Sequence, residues 1–190
     1  MYLQRPVLTL RKLTDTYGTA APMGDVAPIA RLTTVSDGVP GTVATLKEMR
    51  RFAREAVRDP KQKIRTLALD IVSGLPPRSR VLEVKNLHQF VRDEIRYVRD
   101  PVGLELVSTP ARTLETRQGD CDDKSTLLAA LLESIGHPAR YKAIGLNGGP
   151  FSHVYVETKL GESWVPLETI IDRPMGWYPR GITSRYILKV

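Results

Sequence analysis

At Pro138 the spacing of apolar residues switches from the three- and four-residue steps of a helix to the two-residue step of a strand, and that switch limits what this chain can fold into. Upstream, Leu127, Leu128, Leu131, Leu132 and Ile135 make a strongly apolar helical segment that Gly136 and Pro138 terminate. Downstream, residues 140–146, 154–159 and 163–167 alternate with period two, separated by Asn147-Gly148-Gly149-Pro150 and by Gly161. A buried helix followed by three antiparallel strands predicts an α+β domain, with helices packed on a small sheet of three or four strands.

Further helices precede this unit. From Thr42, the residues Val43, Leu46, Met49, Ala53 and Ala56 recur at helical steps, and Thr45 with Glu48 has the spacing of a capping box. Asp59-Pro60 predicts a cap and first-turn proline for a second helix carrying Ile64, Leu67, Ala68 and Ile71, with Gly74 past its end. Leu87, Val91 and Ile95 predict a third over 83–97. Residues 1–41 hold Pro6, Pro22, Pro28 and Pro40 with four glycines and no sustained period, so they read as an extended N-terminal arm, and 42–190 as the domain. Within the arm, 7–10 and 29–35 alternate weakly and need the domain, or a partner, to lie against.

Composition excludes several classes. Hydrophobic residues at 42% and charged residues at 26% are those of a globular chain rather than a disordered one. The amino terminus lacks the apolar run of a signal peptide and no stretch is long enough to span a bilayer, which points to a cytoplasmic protein with no membrane partner. The net charge of +7 is concentrated in residues 47–65, where eight basic residues face Glu48, Glu55 and Asp59. Such runs are mostly solvated faces, and specific nucleic-acid binding is not expected. A single cysteine forms no internal disulfide, and with three histidines there is no zinc pattern.

That cysteine, Cys121, precedes the apolar helix instead of belonging to its stripe, and Asp120, Asp122 and Asp123 flank it, which is a poor setting for a core position. At a helix amino end, unpaired N–H groups and the dipole favour a thiolate and offer donors to an oxyanion. His153 opens the second strand after a Gly-Gly-Pro loop and is the candidate base. Glu168, at the end of the third strand, is the candidate carboxylate that orients the ring, with Asp172 as a competitor. Tyr97, Gln118 and Trp164 are candidate oxyanion donors, whereas His88 and His137 read as structural. The three aspartates cap the helix in the simplest reading; they also raise the thiol pKa while the helix end lowers it.

Four blocks now line up: Gly119-Asp120-Cys121-Asp122-Asp123-Lys124 with Leu127-Leu128; Ile135-Gly136-His137-Pro138-Ala139-Arg140; His153-Val154-Tyr155-Val156-Glu157; and Trp164-Val165-Pro166-Leu167-Glu168. Their order and spacing resemble the transglutaminase-like core of the papain-like cysteine protease superfamily, over about residues 85–170. The resemblance implies a Cys121, His153, Glu168 triad in which glutamate replaces the usual aspartate. It also implies thiol-mediated hydrolysis of an amide in a protein or peptide substrate, with no cofactor required. The aspartate-flanked version resembles small bacterial and tailed-phage members, including calcium-dependent periplasmic proteases whose Asp-Cys-Glu-Asp run binds the ion; Ca2+ at Asp120, Asp122 and Asp123 is the matching expectation. The competing expectation is a phage virion or assembly component that keeps the fold and binds virion partners through its arm.

Overall fold

The computed structural model describes residues 31–33, 38–101 and 105–190. Their elements run β1 (Arg31–Thr33), α1 (Val39–Arg58), α2 (Lys63–Ile71), α3 (Arg80–Glu94), β2 (Arg96–Tyr97), β3 (Glu105–Val107), α4 (Pro110–Thr116), β4 (Gln118–Gly119), α5 (Cys121–Ser134), β5 (Ala139–Leu146), β6 (Phe151–Leu160), β7 (Ser163–Leu167) and β8 (Ile182–Lys189). The main sheet is antiparallel in the order β7-β6-β5-β8, while β1 with β3 and β2 with β4 form separate short pairs. Helices on a small antiparallel sheet is the α+β arrangement expected from the period switch.

Helix α5 is the axis of the molecule, with α1 to α4 packed around it and β5 and β6 closing the remaining side. Leu127, Leu128, Ala129, Ala130, Leu131 and Leu132 have no exposed surface. A helix apolar on every side has to be surrounded, and each of these leucines contributes roughly 2 kcal/mol of transfer free energy by leaving water. This burial fixes the position of the amino end of α5, and Cys121 with it.

Several boundaries differ from expectation for identifiable reasons. Helix α1 begins at Val39, with Gly38 at a φ of 81° as its N-cap and Pro40 in its first turn. Thr45 is therefore an interior residue buried against the core and no capping box forms at Thr45 and Glu48. Asp59 makes a turn instead of a cap: its Oδ1 accepts from the Lys61 N–H at 3.1 Å and its carbonyl from the Gln62 N–H at 2.8 Å. Helix α2 starts only at Lys63, after Gln62 in a left-handed conformation, so Pro60 lies in the turn. Helix α3 ends at Glu94, because Arg96 and Tyr97 leave it to pair in parallel with Gln118 and Gly119.

The fourth strand, β8, was not assigned from sequence; it pairs with β5 along its length. Of the alternating stretches in the arm, 7–10 lies outside the described residues, whereas Arg31–Thr33 within 29–35 forms β1 and pairs with β3 from Arg31 opposite Val107. No helix among the described residues is long and apolar enough to cross a membrane.

Candidate active site

Cys121 is the first residue of α5 and Asp120 is the N-cap, its Oδ1 accepting from the Asp122 N–H at 3.0 Å and the Asp123 N–H at 3.3 Å. Capping of this kind satisfies donors that would otherwise be orphaned. It also means that two of the N–H groups expected to serve an oxyanion are occupied, leaving the Cys121 N–H as the first-turn donor nearest the sulfur. Gly119 permits the tight entry to the helix, since a Cβ there would lie 2.5 Å from Asp123 Cβ.

His153 comes from the neighbouring sheet. It faces Ile144 across the β5–β6 ladder, and the register slips between Ile144 and Gly145 so that Ser152 is the extra residue on β6. A bulge bends its strand and re-aims the adjacent side chain. His153 Nε2 lies 2.6 Å from Glu168 Oε2, and Glu168 is 1% exposed, with Oε1 accepting from the Ile170 N–H at 2.9 Å. With Nε2 donating to the carboxylate, Nδ1 is the ring nitrogen that remains to accept a proton. Asp172, the competing carboxylate, is 93% exposed and pairs with Arg92 at 3.2 Å, so Glu168 is the acid at the imidazole.

Cys121 and His153 line one cleft of about 550 Å3, whose other lining residues include the apolar Leu46, Ala143, Phe151 and Val154 and the acidic Asp100, Glu105, Asp120 and Asp122. Cys121 is half-buried, and its S–H donates to Asp122 Oδ1 at 3.5 Å. Burial pushes the thiol pKa well up, Asp122 and Asp120 push it further, and a hydrogen bond from the Val154 backbone opposes them. Each of these upward pushes favours the thiol form, and a proton acceptor or a cation beside the sulfur would oppose them.

The same cleft concentrates carboxylates. Burial, followed by repulsion from Asp123 and Asp100, pushes Asp120 up to about 7. Burial raises Asp123 to about 6 against the pull of Ser108, whose N–H donates to its Oδ1 at 2.6 Å. Asp122 is raised by burial, by Asp120 and by a side-chain hydrogen bond with Glu105. Ligand atoms of Asp120, Cys121 and Asp122 lie within 4.8 Å of one another, whereas Asp123 is engaged with Ser108 and packs against Gly119. Glu105 and Asp100 carried no local signal in the sequence, because their arrival at the cleft depends on the β3 segment folding back.

Of the remaining candidates, Tyr97 lines the cleft and is 44% exposed. Gln118 accepts from Arg96 through its Oε1, and Trp164 lies under the Arg140 guanidinium at 4.1 Å. His137 is buried with Nε2 2.8 Å from Glu83 Oε2, the structural role expected of it. His88 is buried too, but it holds the backbone of Glu168.

A search of curated proteins finds no match to the chain. Among solved structures, a candidate protease from Parabacteroides distasonis ATCC 8503 superposes with a TM-score of 0.54 at 13% identity, over 69% of this chain and 26% of that one. Calcium-bound LapG of Legionella pneumophila superposes with a TM-score of 0.50 at 14% identity, over 73% of this chain and 80% of that one. The chain thus spans about a quarter of the first protein's length, and at these identities the likeness is one of fold. The family profile of the transglutaminase-like superfamily matches residues 65–169, from α2 through the Cys121 helix to just past Glu168, and the chain belongs to that superfamily.

Proposed function

We propose that the protein is a cysteine hydrolase that cleaves an amide bond in a protein or peptide through Cys121, His153 and Glu168. The observation that carries this reading is the His153–Glu168 hydrogen bond at the rim of the cleft that Cys121 also lines. His153 Nδ1 takes the thiol proton as the sulfur attacks the carbonyl carbon, and the Cys121 N–H stabilises the resulting oxyanion. The imidazolium returns that proton to the leaving amine, giving a thioester on Cys121. Water, deprotonated by the same ring, then releases the acid and restores the thiol. Glu168 keeps the proton on Nε2 throughout and balances the charged ring.

Incubation with a mixed peptide library in 18O-water tests the reading. New carboxyl termini carrying 18O, with an acid-trapped acyl adduct on Cys121, are expected. Intact peptides and an unmodified Cys121 would contradict it.

The donor set also fits a calcium ion. Asp122 and Glu105 face one another as buried or half-buried carboxylates, and among the described residues no lysine or arginine forms an ion pair with Asp120, Asp122 or Asp123. Oxygen ligands of this kind suit a hard divalent cation. Asp120 and Asp122 would hold it, with Glu105 beside Asp122, and its charge would favour thiolate at Cys121. Because the folded-state pKa values of Asp120 and Asp123 lie above the usual carboxylate value, the folded state binds more protons than the unfolded one between about pH 4 and 7. Stability therefore falls as pH rises through that window in calcium-free buffer. Differential scanning fluorimetry should show Tm decreasing from pH 5 to 8 and recovering with millimolar CaCl2; a Tm indifferent to calcium at pH 8 would remove the ion from the account.

A phage virion or assembly component is the competing reading. It rests on the resemblance to phage members and on glutamate at position 168, and it would bind through the arm and through the exposed Lys47, Arg54 and Arg58 of α1, which are outside the cleft. An inert Cys121 in a folded protein would favour it.

A further inference from the structure

Helix α3 contributes no residue to the cleft, yet two buried polar side chains tie it to both halves of the site. Lys124, 2% exposed and one turn along α5 from Cys121, donates through Nζ to the carbonyl of Ile95 at 2.6 Å and to that of Arg92 at 3.2 Å, at the carboxyl end of α3. This fixes α3 to the nucleophile's own helix. His88, 1% exposed and near the middle of α3, has Nε2 2.5 Å from the backbone oxygen of Glu168. A carbonyl oxygen only accepts, so Nε2 carries the proton and the imidazole donates. Burial lowers the His88 pKa, which keeps the ring neutral in this role.

The position of that hydrogen bond matters because Glu168 lies just past the end of the β6–β7 ladder, whose last pair is Val156 with Leu167. Among the described residues no strand partner therefore registers its backbone. The Ile170 N–H steadies the carboxylate from within the same turn; Arg92 of α3 reaches the turn further on, at the Arg173 carbonyl at 3.0 Å and Asp172 at 3.2 Å, and His88 is the α3 side chain that holds the backbone of Glu168 itself.

We propose that His88 is a positioning residue of the Cys121, His153, Glu168 site, holding the Glu168 backbone on α3 so that its carboxylate meets His153 Nε2. The inference rests on the thiol hydrolase reading for its consequence in catalysis, but its geometry is measurable in an inactive protein. A histidine that merely filled the core would, on replacement, change stability and leave the His153–Glu168 bond unaltered.

The test is 15N-edited NMR of the histidine rings in the whole chain, joined to alkylation of Cys121 by iodoacetamide at neutral pH. In the natural protein His88 is expected as the Nε2–H tautomer, with a through-hydrogen-bond coupling to the Glu168 carbonyl carbon. In His88→Phe the low-field Nε2–H signal of His153 should be lost or move upfield, and alkylation should slow by about tenfold or more, since sub-ångström displacement of reacting groups costs rate on that scale. His88→Gln, which keeps an N–H donor, should restore both. A His153 signal in His88→Phe identical to that of the natural protein overturns the proposal whatever happens to Tm. A His88 protonated on Nδ1 instead of Nε2 overturns it with no variant at all, and should His88→Phe fail to fold, His88→Asn, too short to reach the Glu168 carbonyl, is read by the same two measurements with the same expected and contrary results. Failure of the hydrolase reading looks different: Cys121 of the natural protein stays unalkylated while the His153–Glu168 signal is present.

Discussion

Replacing Cys121 by serine is expected to lower peptide hydrolysis by about 10^3-fold or more while leaving the fold intact. The sulfur is half-buried at the start of a helix whose position is set by Leu127, Leu128, Leu131 and Leu132, none of which the substitution touches. A hydroxyl in the same place is a far weaker nucleophile at the basicity an imidazole can match. Its hydrogen bond to Asp122 can still form, so little stability is at stake. His153→Ala should lose a similar factor, and the double variant should lose little more than either single one, because the two groups act as a unit. Steady-state kcat/KM, with thermal unfolding as the control for folding, measures all three; losses that simply multiply would mean that sulfur and ring work separately.

Glu168→Gln is the second large effect, expected at about 10^2- to 10^4-fold in kcat. The carboxylate oxygen 2.6 Å from His153 Nε2 can only accept, which places the ring proton on Nε2 and leaves the Nδ1 lone pair for the thiol. A glutamine amide turned to donate would reverse that tautomer and remove the base. Burial alone would push the Glu168 carboxyl up, but the hydrogen bond and charge of His153, with the N–H groups of Ile170 and Thr169, hold it below the usual carboxylate value. A folded-state pKa below the unfolded value gives stability that is present above the usual carboxylate pKa and lost as pH falls through the folded one. Glu168→Gln should therefore weaken the protein at neutral pH and abolish that part of its acid sensitivity, as read from Tm against pH. Retention of kcat in this variant would show that the carboxylate does not direct the ring.

The parts of this architecture that were legible in the sequence are those whose signal is local. Leu127 to Leu132 announce a buried helix by being apolar on every side, Gly136 and Pro138 mark its end, and Cys121 stands out because it precedes the stripe among aspartates. The choice of Glu168 over Asp172 was open in sequence, since both follow β7 within a few residues; the structure turns Asp172 out to Arg92. Other features depend on distant partners. Arg96 and Tyr97 continue a helical pattern but pair with Gln118 and Gly119, a tertiary contact that overrides the local period. Strand β8 alternates, yet Ile187 faces outward and is 40% exposed, which blurs its two faces. Glu105 gives no hint of its approach to Asp122, and the role of His88 arises only once α3 lies against the turn that holds Glu168.

The most direct trial of the account is the rate at which iodoacetamide modifies Cys121 in the folded protein at neutral pH, compared between the natural chain and His153→Ala, with site and stoichiometry read by mass spectrometry. If ring and thiol act together, the natural chain is modified at this single position and the rate falls at least about tenfold when the imidazole is removed. Equal rates in the two proteins, or a thiol reached only after unfolding, would contradict it.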